Sequence, residues 1–397
     1  MKKFPTSGQF IFCFGMAVLG VVLALPGTNG TGTYVDQLRA ASSVLKGHMV
    51  TTDVTTDFFG FRALIYGKDP YPIIAVVANE EGIDWPVQHA STHPPTAYLV
   101  AAPVALLPLG WAVSLWCWGM LSLVAIGFRK MEFSWFAAIG LALLSLLWPP
   151  FALSLAQLTP IWLLAVVCTV HMTGRVPGLI IALATMTKYY PCLLLWPSIV
   201  RREVATVLTA IVAGVVAVVT LWWLNPDIFS RYLEVNRSNS PEIVARLDNA
   251  SPIVNAYRHL GAGGALSLVA GLSAVWFGTL RQHRDRAFSA LLCAYLSVAL
   301  LPIVWIYSTL PLLPILIWFI RRRPFSIVSV PAYCSFAILM FCPRWGVESV
   351  NPIVVAILLP GLSFLLEAHY RSQAEAITPK FVTALRKFTY KPHFPSR

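Results

Sequence analysis

From residue 10 to residue 366 the chain is a succession of apolar runs separated by short basic links and by two longer polar stretches, Pro26–His93 and Asn225–His259. Many approach the ~20 residues that cross a bilayer as a helix. After a first run over Phe10–Leu25, the runs read as Thr96–Phe128, Phe133–Trp148, Thr159–Met172, Pro177–Ile199, Val204–Leu224, Ala262–Leu280, Ala287–Leu301, Leu310–Ile320, Ile327–Phe341 and Ile353–Leu366. The expected fold is therefore an all-α polytopic membrane protein. Composition agrees: 57% of the 397 residues are hydrophobic and 12% are charged, where a soluble domain carries about a quarter charged. A water-soluble enzyme, a DNA-binding module and a disordered scaffold are excluded as descriptions of the whole chain.

The net charge of +12 sits in clusters between apolar runs: Arg201-Arg202, Arg281–Arg286, Arg321–Arg323, and a tail with Lys380, Arg386, Lys387 and Lys391. This is how cytoplasmic links look, and no nucleic-acid partner is expected. Lys2 and Lys3 precede the first run, no convincing small-x-small cleavage site follows it, and a retained helix with a cytoplasmic N-terminus is expected. Placing every basic link inside calls for an even number of helices, about twelve, with both termini in the cytoplasm of a plasma-membrane protein. Two places within 96–199 are ambiguous, Leu107-Pro108-Leu109-Gly110 and Lys188-Tyr189-Tyr190-Pro191. One break, but not both, keeps the parity even, and the charge of Arg129-Lys130 favours the second. The layout is then a first helix at 1–26, an outer loop with interfacial helices at 27–93, core spans at 94–224, a second outer loop at 225–262, C-terminal spans at 263–370 and a basic cytoplasmic tail at 371–397.

The first outer loop holds seven of the 17 acidic residues, and because two substantial outer loops face short inner links, any chemistry is expected at the external face. Phe58–Tyr66 reads as a weakly amphipathic helix lying on the membrane surface with its aromatic side at headgroup depth. On local grounds Asp57 suits the N-cap of that helix. It also sits beside aromatic residues that would partly strip it of water, and a partly desolvated carboxylate is a better proton acceptor for a hydroxyl nucleophile.

Asp57-Phe-x-x-Phe61 followed by Gly67-Lys-Asp-Pro-Tyr71 resembles the opening motif of the glycosyltransferase 87 family, polyprenyl-phosphate-mannose-dependent mannosyltransferases of the GT-C fold. Further matches follow in order: His93-Pro94-Pro95 with Pro103 and Leu107-Pro108; Ala156-Gln157; Gly174-Arg175, Gly178 and Lys188-Tyr-Tyr-Pro191; Asn249-Ala-Ser251-Pro252 with Arg258; and Leu301-Pro302-Ile-Val-Trp305. Each motif is short, and their shared order from helix one to about residue 315 carries the likeness.

The resemblance implies a GT-C-type bundle and an inverting transfer of a sugar, mannose by family default, from a polyprenyl-phosphate donor to a hydroxyl of a glycan, glycolipid or protein. Asp57 becomes the catalytic base, and neither cofactor nor metal is implied. Charge developing on the leaving phosphate calls for cations, with Lys188, Arg258 and Arg62 as candidates. A lysine within an apolar run is costly unless paired or phosphate-bound, although Lys188 also suits snorkelling to the interface. His93, Gln157, Asn249 and Tyr307 are the candidate substrate contacts. Two of these depart from the family pattern, because His93 stands where relatives have tyrosine and Tyr307 follows Trp305 where relatives often have histidine.

His89 and His93 are spaced i, i+4, but Pro94-Pro95 ends a helix there and no HExxH is present, so a polar, aromatic-lined substrate rim is expected and a zinc site is not. Other features read as structural. The seven cysteines, with no CxxC among them, are mostly embedded in apolar runs. Gly261-Ala-Gly263-Gly264 follows no strand, so it is a turn or packing feature, and a nucleotide-sugar donor is not expected. Trp85, Tyr98, Trp111, Trp148, Trp222 and Trp223 read mostly as the interfacial aromatic belt. A lipid or solute transporter is the reading from a different class, although no internal repeat supports it. A non-catalytic relative acting as an assembly partner is the third.

Overall fold

A computed structural model describes residues 42–48, 53–71, 74–80, 82, 91, 93–145, 157–245, 249–282, 285–302, 304, 306–322, 326–341 and 352–389. The described residues form helices and connecting turns with no strand. In chain order these are α1 (Asp53–Ile65), α2 (Ile74–Glu80), α3 (Pro95–Ala105), α4 (Leu109–Lys130), α5 (Trp135–Ser145), α6 (Thr159–His171), α7 (Arg175–Thr187), α8 (Trp196–Val200), α9 (Val204–Leu224), α10 (Ile228–Ala245), α11 (Pro252–Gln282), α12 (Arg286–Ala299), α13 (Leu313–Arg322), α14 (Val330–Phe341) and α15 (Pro352–Thr389). Tight 3-10 turns at Tyr190–Leu195 and Ile306–Leu312 lead into α8 and α13. Among the described residues, Leu109–Lys130, Val204–Leu224 and Ile353–Arg371 are long and apolar enough to cross a membrane by length and composition. The first apolar run, Phe10–Leu25, lies outside the described residues.

Burial separates the helices by role. Every residue of α12 from Phe288 to Ala299 is buried, so this helix is the centre of the bundle. On α9 only Thr206, Ala210, Ala217 and Leu221 are buried, while Leu208, Ile211, Val212, Val215, Val216, Val219, Trp222 and Trp223 are exposed. Such an exposed apolar face is expected of a helix that meets lipid on one side and protein along a narrow stripe of small residues. The stripe works by close approach: a Cβ on Gly178 of α7 would lie 2.2 Å from the carbonyl oxygen of Thr206, and the Thr206 hydroxyl donates to the Gly174 carbonyl at 2.9 Å. The Gly174…Gly178 motif is thus a helix-crossing feature.

The basic clusters meet at one end of the bundle. Arg286 donates to the carbonyls of Thr169 and Met172 and pairs with Glu203 at 3.2 Å, tying α12 to the end of α6 and the start of α9. Arg321 donates to the Met131 carbonyl, lies 3.7 Å from Glu132 and stacks over the Phe133 ring, tying α13 to the end of α4. Asp285, Arg322, Glu367 and Arg371 form a third group joining α12, α13 and α15.

Several expectations are corrected. The break at Leu107-Pro108 is present, with α3 ending at Ala105 and α4 starting at Leu109, and the break at Lys188 is present as well. The parity argument allowed only one, because it equated a helix break with a membrane crossing. At about 1.5 Å per residue, α3 is too short to cross the ~30 Å hydrocarbon layer by itself. Asp57 is not a helix cap: α1 begins at Asp53 and places Asp57 inside the helix. The aromatic side of α1 is not at headgroup depth either, since Phe58 and Phe59 are buried in protein. Tyr98 is fully buried and does not belong to the aromatic belt, whereas Trp111, Trp222 and Trp223 are exposed as a belt requires. Trp85 and Trp148 lie outside the described residues. Gly261 interrupts α11 as a kink, with φ 67°, in keeping with a turn feature. The helix that carries the last apolar run, Ile353–Leu366, extends to Thr389.

Candidate active site

The end opposite the basic clusters is built around α1 and α3. Gly60 lets the two helices touch: a Cβ there would lie 2.4 Å from a ring carbon of Tyr98, which is itself fully buried. One helical turn before Gly60, this contact brings Asp57 inward, between Val54 and Thr55 on one side and Phe58 on the other, all buried. Phe58 sets its edge against Trp116 of α4, with ring centroids 5.9 Å apart.

Asp57 has no exposed surface. Its Oδ1 lies 2.9 Å from Nδ1 of His93. Its Oδ2 is buried without a hydrogen-bond partner. Most buried polar atoms in folded proteins are paired, so a carboxylate oxygen left in this state marks a functional position or a place for a ligand atom. When the carboxylate is ionised it only accepts hydrogen bonds, and the proton of this contact then sits on His93 Nδ1.

His93 is fixed from several sides. Its carbonyl accepts from the Tyr71 hydroxyl at 3.2 Å, its N–H donates to Ser91 Oγ at 3.2 Å, and Pro94 and Pro95 lead directly into α3. Tyr71 stays protonated, because burial and then the neighbouring Tyr98, Tyr232 and Tyr189 push its hydroxyl far above the ordinary phenol range. Tyr71 heads a row of rings, with centroids 5.6 Å from Tyr98 and 5.9 Å from Tyr232, and Tyr232 is 6.3 Å from Tyr189. The row ends at the surface, where Tyr189 is half exposed beside Lys188.

Lys188 arrives at the same end because α7 stops at Thr187 and the Thr96 hydroxyl donates to the Met186 carbonyl at 2.7 Å. That bond joins the start of α3, three residues after His93, to the last turn of α7. The Lys188 ammonium reaches the hydroxyl of buried Ser308 at 3.3 Å, next to Tyr307 in the second 3-10 turn.

Other expected site residues have different surroundings. Arg62 donates to the carbonyls of Ala105 and Leu107, both at 2.6 Å, so it caps the end of α3 and covers the break before α4. Asn249 binds backbone with both ends of its amide: Nδ2 donates to the Pro302 carbonyl at 3.0 Å, and Oδ1 accepts from the N–H groups of Ser251 at 3.0 Å and Val304 at 2.9 Å. Ala250 N–H also donates to the Val304 carbonyl. The Asn249-Ala-Ser251 and Leu301-Pro302 motifs are therefore one stitched unit, and Asn255 completes it by donating to the Asn249 and Ser251 carbonyls. Gln157 is buried, and its backbone carbonyl accepts from Nε1 of Trp116, at 3.3 Å, whose ring meets that of Phe58, the neighbour of Asp57 in the chain. Arg258 is half-buried on α11, ahead of the Gly261 kink. Tyr307 is in the 3-10 turn with its side chain outside the described ones; Trp305 and His89 are outside the described residues altogether.

Among the residues that bear on Asp57, sequence reasoning missed the supporting roles of Tyr71, Ser91, Thr96, Tyr98 and Ser308. Tyr71 had a signal, as the last residue of the Gly67-Lys-Asp-Pro-Tyr71 motif. Among the described residues no group of three or more His, Cys, Asp or Glu side chains gathers as a metal site would.

Apolar spanning helices around a buried acid–histidine pair define a helical membrane protein with polar chemistry at one end. A family description, glycosyltransferase family 87, matches residues 92–302, more than half of the sequence, and the chain belongs to that family. No curated protein and no solved structure matches it. The matched region takes in His93, Gln157, Lys188, Asn249 and Arg258 and stops before Tyr307; Asp57 and Arg62 precede it. This is narrower than the likeness drawn from short motifs. The structure joins the two parts, because Asp57 bonds to the second residue of the matched region.

Proposed function

We propose that this membrane glycosyltransferase moves a sugar, mannose by family default, from a polyprenyl-phosphate donor to a hydroxyl of a glycan, glycolipid or protein acceptor. Asp57 is the general base. As the acceptor oxygen bonds to the anomeric carbon, its proton passes to Oδ2 of Asp57. The bond from that carbon to the phosphate oxygen breaks, and its electron pair leaves on the polyprenyl phosphate. The displacement inverts the anomeric centre and needs no covalent enzyme intermediate, no metal and no cofactor.

The observation that carries this reading is the state of Asp57: buried, with Oδ1 held by His93 and Oδ2 without a partner. Because the carboxylate has no exposed surface, an acceptor reaches it only as neighbouring side chains give way, which disfavours hydrolysis of the donor by stray water. Lys188, with its ammonium near the same end of α3 and α7, is the first cation for the leaving phosphate, and Arg258 is the second. Arg62, with two carbonyls to hold, supports the α3 end; Gln157 and Tyr307 remain the proposed substrate contacts, and Asn249 shapes the site through the backbone.

For topology we propose about twelve crossings with the basic end in the cytoplasm, both termini there, and the Asp57 end outside a plasma membrane. The gathering of Arg286, Arg321, Arg322 and Arg371 at the end away from Asp57 supports it.

The test is transfer from a labelled polyprenyl-phosphate mannose by the purified protein in detergent, without vesicles. Asp57→Asn is expected to lose about 100- to 10,000-fold in turnover, the range for a missing general base, while remaining folded. Unchanged transfer by Asp57→Asn contradicts the assignment.

A further inference from the structure

A lone buried carboxylate is a poor base if it is free to turn. The torsion that rotates its two oxygens is broad, so a single atom is presented to a substrate only when something holds the other. At Asp57 the holder is visible: His93 Nδ1 at 2.9 Å from Oδ1. The holder is itself held, by the Tyr71 hydroxyl on its carbonyl, by Ser91 Oγ on its N–H, and by the two prolines that follow. Tyr71 is anchored in turn, with its N–H donating to Asp69 Oδ1 at 2.9 Å and its ring between Tyr98 and Tyr232. These contacts form a chain of supports from the first outer loop to one oxygen of one carboxylate.

Resting on the reading of Asp57 as proton acceptor, we infer that His93 is its positioning residue: the imidazole holds Oδ1 and presents Oδ2 to the acceptor hydroxyl, working through the carboxylate and not on the sugar. This replaces the expectation that His93 contacts substrate. The choice of partner also suits the task. A guanidinium beside a carboxylate is a fixed charge that lowers its affinity for a proton, as the arginines do at Asp285, whereas an imidazole can hold one oxygen through a single ring N–H.

The test uses the full chain in detergent, with transfer measured against donor and acceptor concentration. His93→Phe keeps a ring and removes the donor; His93→Asn returns an N–H close to the place of Nδ1. With the protein monodisperse, His93→Phe is expected to lower kcat about 10- to 100-fold with both KM values within about twofold, and His93→Asn to recover to within about fivefold of the parent. Asp57→Asn combined with His93→Phe is expected to be no slower than Asp57→Asn alone, since a residue acting through Asp57 has nothing left to position. A raised acceptor KM with kcat preserved in His93→Phe, an unchanged kcat, or a folded His93→Asn as slow as His93→Phe each overturns the inference while leaving Asp57 as the base. An active Asp57→Asn overturns the reading beneath it.

Discussion

Asp57 and Asp285 sit at opposite ends of the bundle, and their oxygens are treated differently. Asp285 caps α12: Oδ1 accepts from the N–H groups of Ala287 and Phe288, and Oδ2 faces Arg371 at 3.1 Å and Arg322 at 3.6 Å. Burial works against its ionisation, but Arg371, the Phe288 N–H and Arg322 outweigh it and hold the carboxyl below the usual range. Glu367 completes the group, fully buried with Arg371 at 2.8 Å and Arg322 at 3.4 Å. Asp57 has a single partner on one oxygen and none on the other. A carboxylate satisfied by charges on all sides fastens helices and has little appetite for a proton. One left half satisfied is costly to keep and is the kind that chemistry uses. The basic end is therefore read as the fastening of the fold and the Asp57 end as its working part.

Breaking the fastening has the largest expected effect on stability. Glu367→Gln removes the buried carboxylate and leaves Asp285 as the counter-charge that Arg322 and Arg371 still face, and losing a charged hydrogen-bond partner of this kind costs roughly 1.5–3 kcal/mol. Thermal unfolding in detergent should show the loss, while transfer per folded molecule stays close to that of the parent. At the working end Lys188→Met should invert this pattern. Loss of the cation proposed for the leaving phosphate is expected to lower kcat/KM for the donor about 10- to 100-fold with little change in melting temperature. If Lys188→Met destabilises the protein as Glu367→Gln does, the division between the two ends fails.

The smallest effect is a pH dependence. Because the folded-state pKa of Asp285 is lowered, its contribution to stability is present above the unfolded value of about 4 and is lost as pH falls through the folded value. Below about pH 4 the parent should lose melting temperature more steeply than Asp285→Asn, which has no carboxyl to protonate. Parallel curves would show that Asp285 is not held by its arginines.

The basic clusters were legible in the sequence because positive charge between apolar runs has few other meanings in a membrane protein, and the described ones do meet at one end. Asp57 was legible through its motif. Its surroundings were not. Whether Phe58 and Phe59 face lipid or protein depends on Gly60 receiving the ring of Tyr98, 38 positions away in sequence, and both environments are apolar enough to leave the helix pattern uninformative. Both chain breaks were visible as proline-containing links, but parity treated them as crossings. Local spacing gives no sign that Arg62 holds the end of α3 or that Asn249 stitches two motifs together. Those roles depend on carbonyls 43 and 53 residues away.

The most direct measurement compares the two aspartates in one assay: the rate of sugar transfer from labelled polyprenyl-phosphate mannose, per folded molecule, for Asp57→Asn and Asp285→Asn. The account predicts a loss of about 100-fold or more for Asp57→Asn and a rate within about twofold of the parent for Asp285→Asn, which instead melts earlier. Equal rates for the two variants, or a slower Asp285→Asn, would contradict it.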